Sequence, residues 1–327
     1  MRVTVAAVTF RVADPESRLS GVRLCAEVHV SCKDFQRGAD EWTLVVDRPP
    51  VNRMEYLLEF RYLDGRDEIV TDPGNPRLAA GAFGPKSVLE FPEYASPAWL
   101  TAPAGAGVLR GLECGTVWSP AGASDDEPLP LLVVHDGPEY DTLASVTRYV
   151  AAGVTGGWLP RLRAALLGPG DRNRWYSASA RYANALARLV IPATTVTIGM
   201  GTSLGALAML HAHCRHPGTF DALFLQSGSF FCPRFDSQER GFPYYRRIIQ
   251  FVAGVHAGRL LPARAIPVVL TCGAIEENVA NNRLMTQALR VRGYPAALHE
   301  VPDMHNYTAW RDAFDPHLTR LLQQVCQ

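Results

Sequence analysis

The chain has 327 residues, 47% of them hydrophobic and 20% charged, enough apolar material for two globular domains with their own cores. Its 32 basic residues balance its 32 acidic ones, which excludes a general nucleic-acid binder, since such a protein needs a basic excess. No run of about 18 apolar residues occurs, so no membrane span is expected, and Met1–Phe10 lacks the long apolar core and cleavage site of a signal peptide.

Residues 1–98 read as β. Short alternating segments recur at Val3–Phe10, Val22–Val30, Trp42–Val46, Glu55–Tyr62 and Val88–Phe91, separated by turn formers such as Asp72-Pro73-Gly74-Asn75-Pro76. Asp64-Gly65, between Leu58–Leu63 and Asp67–Val70, is a hairpin signal. Several strands with no helix between them predict a small β-sandwich. Residues 99–107, with Pro103 and the Ala/Gly run Ala102–Gly107, read as a linker.

From residue 108 to 327 strand-like and helical segments alternate. Leu131–Val134, Arg163–Leu167, Thr195–Ile198, Leu223–Leu225 and Pro267–Thr271 read as strands, and Ser179–Leu189, Leu204–Ala212 and Ala280–Arg292 as helices. This alternation predicts an α/β domain with a mainly parallel sheet. In such sheets the reactive groups lie in loops at the C-terminal ends of strands. The seven cysteines are odd in number, scattered and without a C-x-x-C pair, so no metal site is expected and a reducing, cytoplasmic compartment is the simplest setting. No cofactor is called for.

Gly201-Thr202-Ser203-Leu204-Gly205 is a G-x-S-x-G that follows a β-branched strand and opens an apolar helix. That context is a nucleophile elbow, a sharp strand-to-helix turn that lifts a serine hydroxyl above the sheet. The turn places the Leu204 N–H at a helix N-terminus, where it can donate to a developing oxyanion. A dinucleotide fingerprint starting at Gly199-Met200-Gly201 fails, because the third glycine is misplaced and no acidic residue ends a strand about 20 residues on.

In an α/β-hydrolase the chain order is Ser, acid, His. His211, His213 and His216 belong to the helix after the elbow, and His299 lies inside the last strand-like segment. His305 lies just beyond that strand, in the loop where a base must stand to reach Ser203. The penultimate strand leads into Cys272-Gly273-Ala274-Ile275-Glu276-Glu277, so Glu276 or Glu277 is the acid; the other can open the following helix, where acids favour the dipole.

Gly199–Phe231, including Leu225-Gln226-Ser227-Gly228-Ser229-Phe230-Phe231, resembles the enterochelin-esterase-like group of the esterase D-type esterases, as do Leu131–Tyr140 and Asp171–Ser177. Residues 72–76 and 83–87 are similar to the β-sandwich that precedes the hydrolase domain in enterochelin esterases. The resemblance implies a Ser-acid-His site, with the acid three residues after the strand-ending glycine, Glu276, and the base before a Trp-containing helix, His305 ahead of Trp310. It implies a small-molecule ester substrate: a siderophore-type trilactone, a macrolactone or another aromatic or anionic acyl ester. An acyltransferase with the same triad, or a binding protein on the same fold, are the other readings.

Three departures from the group bear on the site. Pro138, in Asp136-Gly137-Pro138-Glu139, has no N–H where relatives have a second oxyanion donor, so Gly137, Glu139 or Tyr140 must supply it. Arg174 stands where an acidic residue is expected, so Arg172 and Arg174 are candidate substrate contacts, together with Tyr140 and Trp310. Met304 precedes His305 where relatives often have Gly. The aromatic and arginine-rich stretch 230–247 is read first as an ordinary amphipathic helix with its connecting loop.

Overall fold

The computed structural model describes residues 6–28, 32–189 and 193–326. The expected strand residues Val3–Val5 and His29–Val30 lie outside the described residues. The chain divides into two compact units: the chain up to Ala95 together with Pro302–Asn306, and Ser96–Val301 together with Tyr307–Gln327.

The first unit is built from strands β1 (Ala7–Ala13), β2 (Leu19–Cys25), β3 (Gln36–Arg37), β4 (Glu41–Asp47), β5 (Arg53–Tyr62), β6 (Asp67–Val70), β7 (Leu78–Ala79) and β8 (Lys86–Glu90). They form two sheets, one ordered β1-β4-β3 and one ordered β2-β5-β8-β7, with β6 on β5. Period-two burial explains the layering: Val8, Phe10 and Val12 on β1 and Trp42, Leu44 and Val46 on β4 turn inward while their neighbours face out. Phe10 meets Tyr56 of β5 edge-to-face at 5.1 Å, which joins the two sheets. The Asp64-Gly65 turn closes the β5–β6 hairpin with Gly65 at φ 86°, a conformation glycine adopts without cost. In Pro302–Asn306, the Pro302 carbonyl accepts from the Asn52 N–H at 2.7 Å.

The second unit has eight strands: β9 (Gly107–Leu112), β10 (Gly115–Pro120), β11 (Leu129–Val134), β12 (Arg163–Leu167), β13 (Thr194–Thr202), β14 (Ala222–Gln226), β15 (Val268–Gly273) and β16 (Ala296–Val301). Its helices are α1 (Gly137–Ala144), α2 (Val146–Thr155), α3 (Arg172–Tyr176), α4 (Ala180–Leu186), α5 (Leu204–Arg215), α6 (Tyr245–His256), α7 (Val279–Val291), α8 (Tyr307–Asp312) and α9 (Thr319–Val325). The sheet runs β16-β15-β14-β13-β11-β12-β10-β9, parallel except for β10 and β9. Strands β11, β12 and β14 and the C-terminal half of β13 are buried on both faces, as a sheet covered by helices requires. One core packs Leu207, Met209 and Leu210 of α5 with Leu223 and Leu225, and the other packs Tyr149 and Phe314 with Leu132 and Phe224.

The chain leaves β11 for β12 on one side and then returns to β13 on the other. That reversal is a switch point, which opens a crevice at the carboxyl ends of the strands. Residues 99–107 are only in part a linker. Trp99, in a short helical turn at Ala98–Leu100, is buried against Tyr149 at 5.3 Å and Phe314 at 6.1 Å, all in the second unit. No helix of the described residues is long and apolar enough to cross a membrane.

Candidate active site

Three neighbouring strands end on the same edge, and each ends on a non-glycine residue forced into the left-handed region: Asp136 after β11 (φ 52°), Ser203 after β13 (φ 54°) and Ser227 after β14 (φ 47°). Such conformations cost on the order of 1–3 kcal/mol each and persist where the surroundings over-determine them, typically at functional sites.

Ser203 stands at φ 54°, ψ −121°, away from the left-handed helical ψ of 36° at Asp136. Its N–H is held by the Gln226 carbonyl at 2.9 Å, its carbonyl accepts from Ser229 N–H at 3.1 Å, and its Oγ lies 3.0 Å from Ser229 Oγ. The turn has no room for side chains at its glycines. A Cβ on Gly201 would lie 2.6 Å from the Gly205 backbone, and one on Gly205 would lie 3.2 Å from His135 Cβ. The Leu204 N–H, first in α5, finds no acceptor among the described residues and faces the strand ends.

The β11 turn stands beside the elbow because β11 and β13 are paired, Val134 with Met200, and His135 N–H donates to the Met200 carbonyl. Gly137 packs on β12 so closely that a Cβ would lie 2.4 Å from the Leu166 backbone. Tyr140 N–H is taken by the Asp136 carbonyl at 2.9 Å, which removes Tyr140 as the second oxyanion donor. Gly137 and Glu139 N–H groups have no acceptor among the described residues.

Buried polar groups fix this turn. His135 is fully enclosed; Nδ1 lies 3.0 Å from the Gly205 carbonyl and Nε2 2.8 Å from Tyr182 Oη. A carbonyl can only accept, so Nδ1 carries the proton and Nε2 accepts from Tyr182. Burial lowers the His135 pKa to about 4, which keeps the ring neutral. Asp136, 2% exposed at its side chain, is gripped on both oxygens by Arg172, each at 2.9 Å.

At the β14 and β15 ends, Glu276 is 7% exposed, and its Oε1 accepts from Ser227 Oγ at 2.7 Å and Gly273 N–H at 2.8 Å. Glu277 faces outward, within 3.2 Å of Gln238 Nε2. Gln226, wholly buried, accepts from Tyr140 Oη at 2.8 Å and donates to Thr271 Oγ1 and to the Trp310 carbonyl, bolting α1, β15 and α8 together. Asn282 holds the Gly228 N–H and carbonyl from α7. His305 stands in the Pro302–Asn306 segment that immediately follows β16.

Two expected substrate contacts are placed otherwise. Tyr140 is 0% exposed with its hydroxyl on Gln226, and Trp310 is 7% exposed with its indole N–H on Ser227 Oγ at 2.9 Å, so both rings belong to the packed interior. Arg172 spends one edge of its guanidinium on Asp136. Arg174 is exposed and lies over Trp175 at 5.1 Å, with Arg181 over the same ring at 5.4 Å. Residues that sequence reasoning did not assign are Asp136, Tyr182, Gln226, Ser227, Ser229 and Asn282. Their pairings span dozens of residues, and only Asp136 and the Gln226–Ser229 stretch carried a signal, as parts of the resemblance. Among the described residues no group of three or more His, Cys, Asp or Glu is arranged to hold a metal.

The architecture is that of an α/β-hydrolase with a β domain ahead of it, as expected from the sequence. Among solved structures, the enterobactin esterase of Shigella flexneri, crystallised in the presence of enterobactin, superposes with a TM-score of 0.75 at 21% identity, covering 99% of this chain and 95% of that one. The ferric enterobactin esterase of Salmonella typhimurium follows at 0.74 and 20%, covering 97% and 93%. A ferulic acid esterase matches 68% of this chain and 98% of its own, with a TM-score of 0.50 and 17% identity. No protein-family model and no curated relative matches the chain. The enterochelin-esterase resemblance is thus met in the fold, over nearly the whole length.

Proposed function

We propose that the protein is a serine carboxylic-ester hydrolase, with Ser203 as nucleophile, His305 as general base and Glu276 as the acid that orients it. The observation that carries this reading is the Ser203 backbone, bent at φ 54° between β13 and α5 with unengaged helix N–H groups beside it. His305 takes the Ser203 proton as Oγ attacks the ester carbonyl. The oxyanion rests against Leu204 N–H and the N–H groups of Gly137 and Glu139. His305 returns the proton to the departing alcohol, then deprotonates a water that releases the acid and restores Ser203. No cofactor or metal enters the scheme.

Glu276 is favoured over Glu277 because it is buried and held from two sides on Oε1, whereas Glu277 points away. Arg174 and Arg181 flank Trp175 and form no ion pair among the described residues, which suits an aromatic or anionic acyl group such as that of a siderophore-type trilactone. The Shigella flexneri structure solved with enterobactin supports the same substrate class. The test is a hydrolysis screen of short acyl esters, catecholate trilactones and macrolactones with Ser203→Ala as blank. Turnover of an aromatic ester by the wild type alone is expected. Equal rates for both proteins would refute the assignment.

A further inference from the structure

Trp310 was expected to touch substrate; its actual contact gives it another task. The indole N–H donates to Ser227 Oγ at 2.9 Å, and Ser227 Oγ donates to Glu276 Oε1 at 2.7 Å. All three residues are buried, at 7%, 0% and 7% exposure. An indole N–H has no acceptor capacity, and a carboxylate has no donor. The direction of the chain is therefore fixed: Ser227 must accept from Trp310 and turn its own hydrogen onto Glu276. A serine hydroxyl left alone rotates among several acceptors, and this one is allowed a single orientation.

The backbone enforces the same geometry. Ser227 sits at φ 47°, where a non-glycine residue is strained, with its N–H on the Thr271 carbonyl at 2.7 Å. Trp310 is anchored at its other end too, since its carbonyl accepts from Gln226 Nε2 at 3.0 Å. The relay thus runs from α8, the helix that begins two residues after His305, to the end of β14 and on to the carboxylate after β15.

We propose that Trp310 and Ser227 are positioning residues for the triad acid, a two-bond relay that fixes the Glu276 carboxylate in the orientation its partner imidazole requires. The inference rests on Glu276 being that acid. Neither residue contacts substrate, so their loss acts on turnover and leaves substrate binding alone. Because the Trp310 N–H bears on Glu276 through the Ser227 hydroxyl, that effect vanishes once the hydroxyl is gone.

The experiment is a double-mutant cycle on kcat and KM with an ester the wild type hydrolyses. Ser227→Gly deletes the hydroxyl and suits the left-handed backbone, and Trp310→Phe deletes the N–H while keeping an aromatic ring. Ser227→Gly is expected to lower kcat about 10- to 100-fold, the worth of one hydrogen bond to a charged group, and Trp310→Phe about 2- to 10-fold, the worth of a neutral one, each with KM within about twofold. The double variant is expected to be no slower than Ser227→Gly alone. Losses that multiply in the double variant, or losses carried by KM, overturn the relay. If Trp310→Phe does not fold, Ser227→Gly against Glu276→Gln closes the same cycle: no further loss in that double variant supports the relay and multiplied losses overturn it. Glu276→Gln separates the two failures. An active Glu276→Gln removes the acid assignment itself, whereas an inactive Glu276→Gln with wild-type rates in the other variants removes only the relay.

Discussion

Removing Arg172 should weaken the fold before it weakens substrate binding. Its guanidinium meets Asp136 through two bonds of 2.9 Å, and the Asp136 side chain is 2% exposed while that of Arg172 is 34% exposed. Breaking a fully buried pair from one side costs about 3–5 kcal/mol, and an exposed pair contributes about 0–1 kcal/mol. With one partner buried and the other a third exposed, Arg172→Met should cost about 2–3 kcal/mol. For a unit the size of the hydrolase domain this lowers the melting temperature by roughly 5–10 °C. Arg172→Lys should recover only part of the loss, because an ammonium cannot grip both oxygens. Asp136→Asn in the Arg172→Met background should restore stability, since no uncompensated buried charge remains. The assay is thermal and urea unfolding of the four proteins, with KM measured on a neutral and an anionic ester. An Arg172→Met protein that melts within about 1 °C of wild type and loses affinity only for the anionic ester would refute this account and return Arg172 to the role of a substrate cation.

Two further outcomes follow from the site. Gly201→Ala should abolish activity and cost several kcal/mol, because its Cβ would lie 2.6 Å from the Gly205 backbone, which cannot retreat without moving α5; a folded, active variant in circular dichroism and turnover assays would contradict the elbow packing. Acid should unfold the protein early. Burial lowers His135, His211 and His213 to about 4, so between about pH 6.5 and pH 4 the unfolded chain binds more protons than the folded one, and stability falls as pH falls through that window. Each ring then contributes a loss of about 3 kcal/mol by pH 4, so a melting temperature unchanged between pH 7 and pH 4.5 would contradict the enclosed, neutral histidines.

Local signals made the fold legible. The elbow needs only five residues between a strand and a helix, and Thr195–Ile198 and Leu204–Ala212 fall inside β13 and α5. Alternation found β1 and β4 because one face of each meets the core. It missed β9 and β10, whose residues alternate little: Val108 and Leu109 of β9 are both exposed. The errors at the site share one cause. Sequence places Tyr140 and Trp310 near the reacting groups but gives no direction for their side chains, and both turn inward to bond residues more than 80 positions away. The Arg172–Asp136 pair was hidden for the same reason, since 36 residues separate its members. The return of Pro302–Asn306 to the first unit left no mark in composition at all.

The nucleophile is the claim on which the account stands, and a fluorophosphonate tests it directly. Intact mass spectrometry of the treated wild-type protein should show a single adduct that maps to the peptide containing Ser203, and the Ser203→Ala protein, folded by circular dichroism, should show none. An unlabelled wild-type protein, or an adduct that persists in Ser203→Ala, would contradict it.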